Sequence, residues 1–220
     1  MLKHTAIIAA LAGALLSSSS ALAGNRNGPP TFAGPPKPAT QYVVPQATAA
    51  ESADLIFMRE EEKLARDVYL RMHESWGVAP FARIASSEQI HMDAVLRLLT
   101  RYRIPDPAAG NLIGEFSNPE LQALFDALIL RGSESVVAAL GVGALIEEVD
   151  VEDLAAAIAR SDKLDIDLVY ESLACGSRNH LKAFAGALEV LTGQPYVAQV
   201  LPQAAVDAIL AVPVGECSAR

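Results

Sequence analysis

The 220-residue chain has a formal net charge of −9 at pH 7, from 26 acidic and 17 basic residues. This balance disfavours nucleic-acid binding, because the neutralisation of phosphates needs clusters of Lys and Arg. The chain is long enough for one substantial hydrophobic core, and its two cysteines do not form the C-x-x-C spacing of a thiol redox motif.

The first 23 residues have the features of a secretory signal peptide. A basic start at Lys3 precedes an apolar run over residues 6–16, and small residues ending at Ala23 follow it. The apolar run is shorter than the roughly 20 residues that a helix needs to cross a bilayer. We therefore expect an exported protein, periplasmic or extracellular, with no membrane span in its mature chain.

Residues 24–50 are rich in Pro, Gly, Ala and Thr and carry almost no charge. Such a composition predicts a disordered tether, because it cannot bury enough apolar surface to offset the loss of chain entropy. A helical domain is expected over residues 51–195, followed by a tail over residues 196–220 that packs on it. The sequence leaves open whether Cys175 and Cys217 pair, which would fix the tail to the last long helix.

Helical periodicity dominates the domain, and no run alternates in the manner of a strand. The first helix is predicted to begin at Ser52 as its N-cap and to stop at Gly77. The second covers residues 81–102, with Pro80 in its first turn, and a shorter helix begins after an Asn118 cap.

A third long helix is predicted from Ser133 to about Asp150, where a new N-cap would begin another short helix. The last long helix covers residues 165–193. Four long helices in one domain predict an all-α fold, arranged as an antiparallel bundle with short inserted helices.

The apolar seams of these helices contain side chains that bind metals. Glu62 occupies a seam position in the first helix, Glu88 and His91 in the second, and His180 in the fourth. Because an unpaired buried carboxylate is expected to protonate or to be excluded, these residues need a shared partner. Their convergence in one bundle therefore predicts a divalent metal ion.

The third long helix offers either Glu147 or Glu148, and the periodicity leaves this choice open. Glu60 and Lys63, which flank the seam of the first helix, are assigned to its exposed face. A satisfied polar network without a metal is the alternative explanation of the seam residues.

Two motifs resemble those of a known superfamily. The run from Glu62 to Tyr69, EKLARDVY, is similar to E-x-x-A-R-x-x-Y, and residues 88–91, EQIH, are similar to E-x-x-H. On these motifs the chain resembles the ferritin-like superfamily, which includes rubrerythrin, bacterioferritin and the carboxylate-bridged di-iron enzymes. With GALIEEVDVEDL and GSRNHLKAF, it is more similar to an exported branch of that superfamily, a domain of unknown function. The resemblance covers about residues 54–192 and implies a ferritin-like four-helix bundle.

This resemblance implies metal ligands on all four long helices: Glu62, Glu88, His91, Glu147 or Glu148, and His180. Glu88 would be a bridging carboxylate, and Tyr69 would lie beside the site as a catalytic residue. This chain departs from the family at Ser177. The fourth helix of family members carries a carboxylate at this position. A lopsided dinuclear site, a single metal and a relic of a site all remain open.

The resemblance implies iron, as Fe²⁺ and Fe³⁺ in a dinuclear carboxylate site, or another divalent metal in its place. The function expected from it is ferroxidase or peroxide-scavenging oxidoreductase activity, with O₂ or peroxide as the substrate. The alternative is non-enzymatic: a metal-binding domain, or a structural or interaction domain of the cell envelope.

Overall fold

The structure, a computed structural model, describes residues 46–217. The predicted signal peptide and residues 24–45 of the predicted tether lie outside the described residues. No helix that the structure describes is both long enough and apolar enough to cross a membrane. Residues 46–217 contain six α-helices and no strand, which confirms the all-α prediction: α1 Ala49–Trp76, α2 Ala79–Tyr102, α3 Pro119–Gly132, α4 Val136–Arg160, α5 Leu164–Thr192 and α6 Gln203–Ala211.

α1 begins one turn before the predicted N-cap at Ser52. The Thr48 hydroxyl accepts the backbone N–H of Glu51 at 3.1 Å, and the Glu51 carboxylate accepts the backbone N–H of Thr48 at 2.7 Å. These two bonds form a capping box, which satisfies two donors at the helix start. The predicted stop at Gly77 is confirmed, because Gly77 adopts the left-handed conformation with φ 64° that ends many helices.

α4 shows that the prediction of a helix end near Asp150 is wrong. The helix begins after Ser135, whose hydroxyl accepts a first-turn N–H at 3.0 Å, and it continues without a break past Asp150. Aspartate is a common N-cap, but Asp150 is buried inside the helix. Leu154, about one turn later, is also buried, so tertiary packing keeps the segment helical despite the local capping signal.

The long helices pack in pairs. α1 packs along α2 and α4 packs along α5, while α1 also contacts α4 and α2 contacts α5. α3 packs on α1 and α4, and α6 packs on α5. Two clusters of buried apolar side chains fill the spaces: the first cluster contains Tyr69, Phe81 and Phe184, and the second contains Leu99 and Leu154. The rings of Tyr69, Phe81 and Phe184 have centroids 5.1–6.2 Å apart.

The two clusters succeed one another along each of the four long helices. In α1 and α5 the residues of the second cluster come first, whereas in α2 and α4 those of the first cluster come first. Between the two clusters each helix contributes buried polar residues, among them Glu62, Glu88, Glu147 and Ser177. A polar layer therefore crosses the interior between two apolar regions.

The connection between α2 and α3, residues 103–118, is held by polar side chains of α1. The Glu60 carboxylate accepts two backbone N–H groups just before α3, at 2.5 and 3.1 Å. Lys63 donates to the carbonyl oxygen of Leu112 at 2.7 Å. The predicted exposure of Glu60 and Lys63 is wrong, since only 2% and 1% of their surfaces are exposed. The loop and α3 cover the face of α1 that the local sequence presents as polar.

The chain after α5 returns to the long helices. A disulfide joins Cys175 of α5 to Cys217, with the two Cα atoms 5.5 Å apart. Lys182 of α5 donates to the carbonyl oxygens of Pro213 and Glu216, each at 3.2 Å. The cysteine pairing that the sequence left open is thus present, and it ties the tail to α5.

Replacing Glu60 with alanine should lower the free energy of unfolding by about 1–3 kcal/mol, because two partly buried N–H groups lose their bonds to a charged acceptor. Urea unfolding followed by circular dichroism measures this change. Glu74→Ala, which removes an exposed carboxylate from the same helix, should change it by less than about 0.5 kcal/mol. Equal unfolding free energies for the two variants would contradict the role assigned to Glu60.

Candidate metal centre

Five buried side chains from four helices converge in the polar layer. Glu62, Glu88 and His91 form one group, and Glu88, Glu147 and His180 form a second. In each group, one potential ligand atom per residue lies within 4.8 Å of the others. The structure therefore holds two sets of Glu and His side chains that could bind a metal ion, and Glu88 belongs to both.

Glu88 presents one carboxylate oxygen to each group. Its Oε2 lies 2.7 Å from His91 Nδ1, and its Oε1 lies 2.7 Å from His180 Nδ1. Each remaining carboxylate approaches one imidazole: Glu62 Oε2 is 3.2 Å from His91 Nδ1, and Glu147 Oε2 is 3.4 Å from His180 Nδ1. The two imidazole rings stack with their centroids 5.5 Å apart.

Local structure explains how these side chains reach one another. Glu88 and His91 are three residues apart on α2, so they project from the same face of the helix. Gly176 of α5 leaves space for the His91 ring, since a Cβ at Gly176 would lie 2.5 Å from two of its atoms. Ser87 Oγ lies 3.0 Å from Nε2 of His180, which fixes the outer nitrogen of that ring. The sequence analysis missed Ser87 and Gly176, because neither differs locally from an ordinary helix residue.

Several polar atoms in the two groups are buried without a hydrogen-bond partner: Glu62 Oε1, both carboxylate oxygens of Glu88, Glu147 Oε2 and His180 Nδ1. The two 2.7 Å contacts of Glu88 are short enough for hydrogen bonds but lack their alignment. When two ligand atoms each lie about 2.1 Å from one metal ion and at a right angle to each other, they are about 3 Å apart. Neither atom then points at the other, as a hydrogen bond would require. The donor atoms therefore fit a bound divalent metal.

In the metal-free protein, burial and the neighbouring carboxylates set the pKa values of the two imidazoles. Burial favours the neutral imidazole, but the hydrogen bond to Glu62 and the attraction of the Glu62 and Glu88 carboxylates raise the pKa of His91 to about 11. Glu147 and Glu88 similarly overcome burial and raise the pKa of His180 to about 10. Both imidazoles are therefore protonated at neutral pH when no metal is bound.

The three carboxylates differ in their protonation. Burial raises the pKa of Glu62 to about 8 and that of Glu147 to about 7, against the opposing effects of His91 and His180. Burial also acts to raise the pKa of Glu88, but the two imidazolium neighbours lower it to about 2. Glu88 is therefore the permanent negative charge of the centre.

Tyr69, which was expected beside the site, contacts one of the carboxylates. Its hydroxyl donates to Glu147 Oε1 at 2.6 Å, and the carbonyl oxygen of Gly143 lies 3.3 Å away. Burial, followed by repulsion from Glu147 and Glu88, raises the pKa of Tyr69 well above its usual value. The phenol thus stays protonated and orients Glu147, whose Oε2 points to the second group.

Glu148 lies outside both groups. Its carboxylate accepts the backbone N–H groups of residues 199–201 at 2.7–3.1 Å and the hydroxyl of Tyr196 at 2.6 Å. Successive residues of a helix point about 100° apart, so Glu147 and Glu148 face different neighbours. Glu147 faces the centre, whereas Glu148 anchors the chain that follows α5.

Ser177 uses its hydroxyl within its own helix. Its buried hydroxyl donates to the carbonyl oxygen of Leu173 in its own helix at 3.2 Å. α5 therefore contributes His180 and no carboxylate to the centre.

Two further buried carboxylates, Glu61 and Asp150, were missed by the sequence analysis. Glu61 Oε2 and both oxygens of Asp150 lack hydrogen-bond partners. Asp150 follows Glu147 by three residues, which places both on one face of α4, and this spacing was the signal that could have revealed it. The mistaken N-cap at Asp150 hid that signal, and Glu61 stands in an acidic run typical of a surface.

Residues 51–213 match the family described as "Uncharacterized protein domain (DUF2202)". The chain belongs to this family. It is 52% identical over 138 residues to the uncharacterized protein MJ0754 of Methanocaldococcus jannaschii, a match that covers 63% of this chain and 75% of the relative. A crystal structure of the hypothetical protein MJ0754 from Methanococcus jannaschii DSM 2661 is similar with a TM-score of 0.75 and 44% identity, covering 79% of this chain and 99% of that chain. Both groups of Glu and His residues lie within the DUF2202 domain.

Gly176→Ala should lower the free energy of unfolding by about 1–3 kcal/mol, because the added methyl group overlaps the His91 ring. It should also change the imidazole NMR signals of His91. The matched control is Gly186→Ala in the same helix, where an added Cβ meets no atom within 4 Å. The control should stabilise the protein by up to about 1 kcal/mol, since alanine favours helices over glycine. Stabilisation by both substitutions would contradict the close approach of Gly176 and His91.

Proposed function

We propose that this DUF2202 domain binds two divalent metal ions, with iron as the metal, in a dinuclear centre bridged by Glu88. One observation carries the proposal: Glu88 presents an oxygen to each of two Glu-His groups, and neither oxygen has a hydrogen bond. A purely structural network would satisfy its buried oxygens with hydrogen bonds. Two coordinated cations would satisfy them and balance their charge.

Each ion would have its own carboxylate and imidazole. Glu62 and His91 would hold one ion, Glu147 and His180 would hold the other, and Glu88 would connect them. Glu147 is the proposed ligand from α4, because the oxygens of its neighbour Glu148 are already occupied by hydrogen bonds. Imidazole suits iron, and carboxylates stabilise its ferric form.

The proposal extends to the fold, which we assign to the ferritin-like type of antiparallel four-helix bundle. Each of α1, α2, α4 and α5 contacts two others of the four, as in a closed bundle. The order of the two apolar clusters along α1 and α5 is the reverse of that along α2 and α4, which supports opposite directions for neighbouring helices. Inward-facing Glu and His side chains in the middle of such a bundle are typical of di-iron carboxylate proteins.

The proposed activity is the oxidation of ferrous iron or the removal of peroxide. Two ferrous ions at this centre would supply the two electrons that, with two protons, reduce one peroxide molecule to two water molecules. The chain's own residues hold the ligands in place: Tyr69 orients Glu147 and Ser87 orients His180. We assign Tyr69 to the site on this basis.

The proposal includes export from the cytoplasm. The Cys175–Cys217 disulfide supports it, because structural disulfides persist mainly in oxidising compartments. The predicted signal peptide points the same way.

Metal binding without turnover is the second candidate function. Ser177 favours it, because α5 lacks the carboxylate that would complete a full di-iron ligand set. Peroxide consumption by the iron-loaded protein in the presence of an added reductant separates the two candidates. Repeated consumption per chain indicates an enzyme, whereas consumption limited to the bound iron indicates storage.

Anaerobic loading with Fe²⁺, followed by metal analysis, should give two ions per chain for the native protein, one per group. Glu62→Ala should retain one ion, because it removes a ligand from one group. Glu88→Ala should lose both, since Glu88 serves both groups.

The matched control for this experiment is Glu148→Gln, which changes the residue next to Glu147 and should keep two ions. Circular dichroism verifies that each variant is folded. A native protein that binds no iron would refute the metal centre. Loss of an ion from the folded Glu148→Gln variant would instead show that the ligand from α4 is misassigned.

Metal affinity should rise steeply with pH between pH 6 and 8. His91 and His180 have pKa values of about 11 and 10 in the metal-free protein, so each must release a proton before its nitrogen can bind a metal. Release of the two imidazole protons alone makes the joint affinity fall about 100-fold for each unit by which pH decreases. The protons of Glu62 and Glu147, with pKa values of about 8 and 7, steepen this fall further. Calorimetry in buffers of different ionisation enthalpy counts the protons, and a pH-independent affinity would contradict the assignment of the imidazoles.

A further inference from the structure

A cavity of about 180 Å³ lies between α1, α3 and α4. Its wall is apolar except for two carboxylates, Glu61 of α1 and Asp150 of α4, and Leu124 at its lining is partly exposed to solvent. Glu61 is 5% exposed and Asp150 is 2% exposed. Glu61 Oε2 and both oxygens of Asp150 have no hydrogen-bond partner. Two buried acids thus line an otherwise apolar space without any partner for these oxygens.

These acids belong to a row of carboxylates that ends at the metal-binding groups. Glu147, Asp150 and Asp153 follow one another at intervals of three residues, so each neighbours the next on the surface of α4, and the row turns by about 60° at each step. Glu147 and Asp150 are buried, whereas Asp153 is only partly buried. Glu61 of α1 interacts with both Asp153 and Asp150, and its neighbour in the chain, Glu62, belongs to the first group. The row therefore leads from a solvent-accessible carboxylate to the centre.

The physical properties of this row suit the passage of cations. Buried carboxylate oxygens that lack hydrogen-bond partners attract a passing cation, because the cation would satisfy them. Among the described residues, only the two Glu-His groups bring three such ligands within 4.8 Å of one another, so Glu61, Asp150 and Asp153 do not form a tight site. A path needs this combination of attraction and weak retention, because an ion held firmly on the way would not reach the centre.

We propose that Asp153, Glu61 and Asp150 form the path by which divalent cations reach the Glu-His centre, an inference that rests on the proposed metal binding. An ion arriving at Asp153 passes to the Glu61 and Asp150 carboxylates and then to Glu147 and Glu62. The path suits hydrated divalent cations that bind carboxylate oxygens, such as ferrous iron.

The test measures the rate of Co²⁺ uptake by the purified metal-free protein, using the visible absorption of bound Co²⁺ in a stopped-flow experiment. Asp150→Asn keeps the shape of the side chain and replaces the carboxylate with a neutral amide. We expect it to slow uptake about tenfold or more, because an amide cannot take a negative charge when a cation passes it. The final amount of Co²⁺ per chain should be unchanged, because Asp150 is not a ligand of either group.

Asp153→Asn should slow uptake in the same direction, and it provides a second variant at a less buried position. Glu152→Gln is the matched control, since it removes an exposed carboxylate from the same turn of α4 and should leave the rate unchanged. Thermal unfolding of each variant establishes that it is folded under the conditions of the measurement.

The outcomes separate this inference from the proposed function. If the native protein takes up no Co²⁺, both the metal centre and the path are refuted. If the native protein takes up Co²⁺ and both Asp150→Asn and Asp153→Asn do so at the native rate, the path alone is refuted. If Asp150→Asn lowers the final amount of Co²⁺, Asp150 is a ligand of the centre, and the path is also refuted. Slowed uptake with full occupancy, absent from the Glu152→Gln control, supports it.

Discussion

The arrangement of the domain depends on one buried anion, the carboxylate of Glu88, which is fully shielded from solvent. A buried charge is tolerated only when opposite charges lie close to it. In the metal-free protein the imidazolium groups of His91 and His180 provide them, and in the proposed metal-bound protein the cations do. Both ways of balancing the charge require α2 and α5 to place these side chains at the same level along the helices. Glu62 of α1 and Glu147 of α4 complete the two groups.

This requirement explains why the interior is divided into two apolar clusters with a polar layer between them. A shift of any long helix by one turn would move a carboxylate into an apolar cluster and an apolar side chain into the polar layer. Both changes are unfavourable, since buried polar groups need partners and apolar groups gain nothing from polar surroundings. The polar layer thus sets the register of the helices at the same time as it forms the candidate centre.

Adjacent acidic residues in this domain serve different purposes because a helix turns by about 100° per residue. Over residues 60–63 of α1, Glu60 holds the loop before α3, Glu61 lines the cavity, Glu62 reaches the centre and Lys63 binds a loop carbonyl. All four are buried, because α1 is covered by α2, α3 and α4. A charged run that is typical of a solvated surface is here buried against the α2–α3 connection, the cavity and the candidate centre.

The sequence by itself determined the helical class and the placement of Glu62, Glu88, His91 and His180 on inward-facing seams, because helical periodicity is a local property that neighbouring apolar residues reveal. Only the tertiary structure decided that Glu147 faces the centre while Glu148 binds the tail, that α4 continues through Asp150, and that the charged run of α1 is buried. Those outcomes depend on which neighbour covers each face of a helix. Local spacing carries no information about that neighbour, so the packing of distant segments had to be known first.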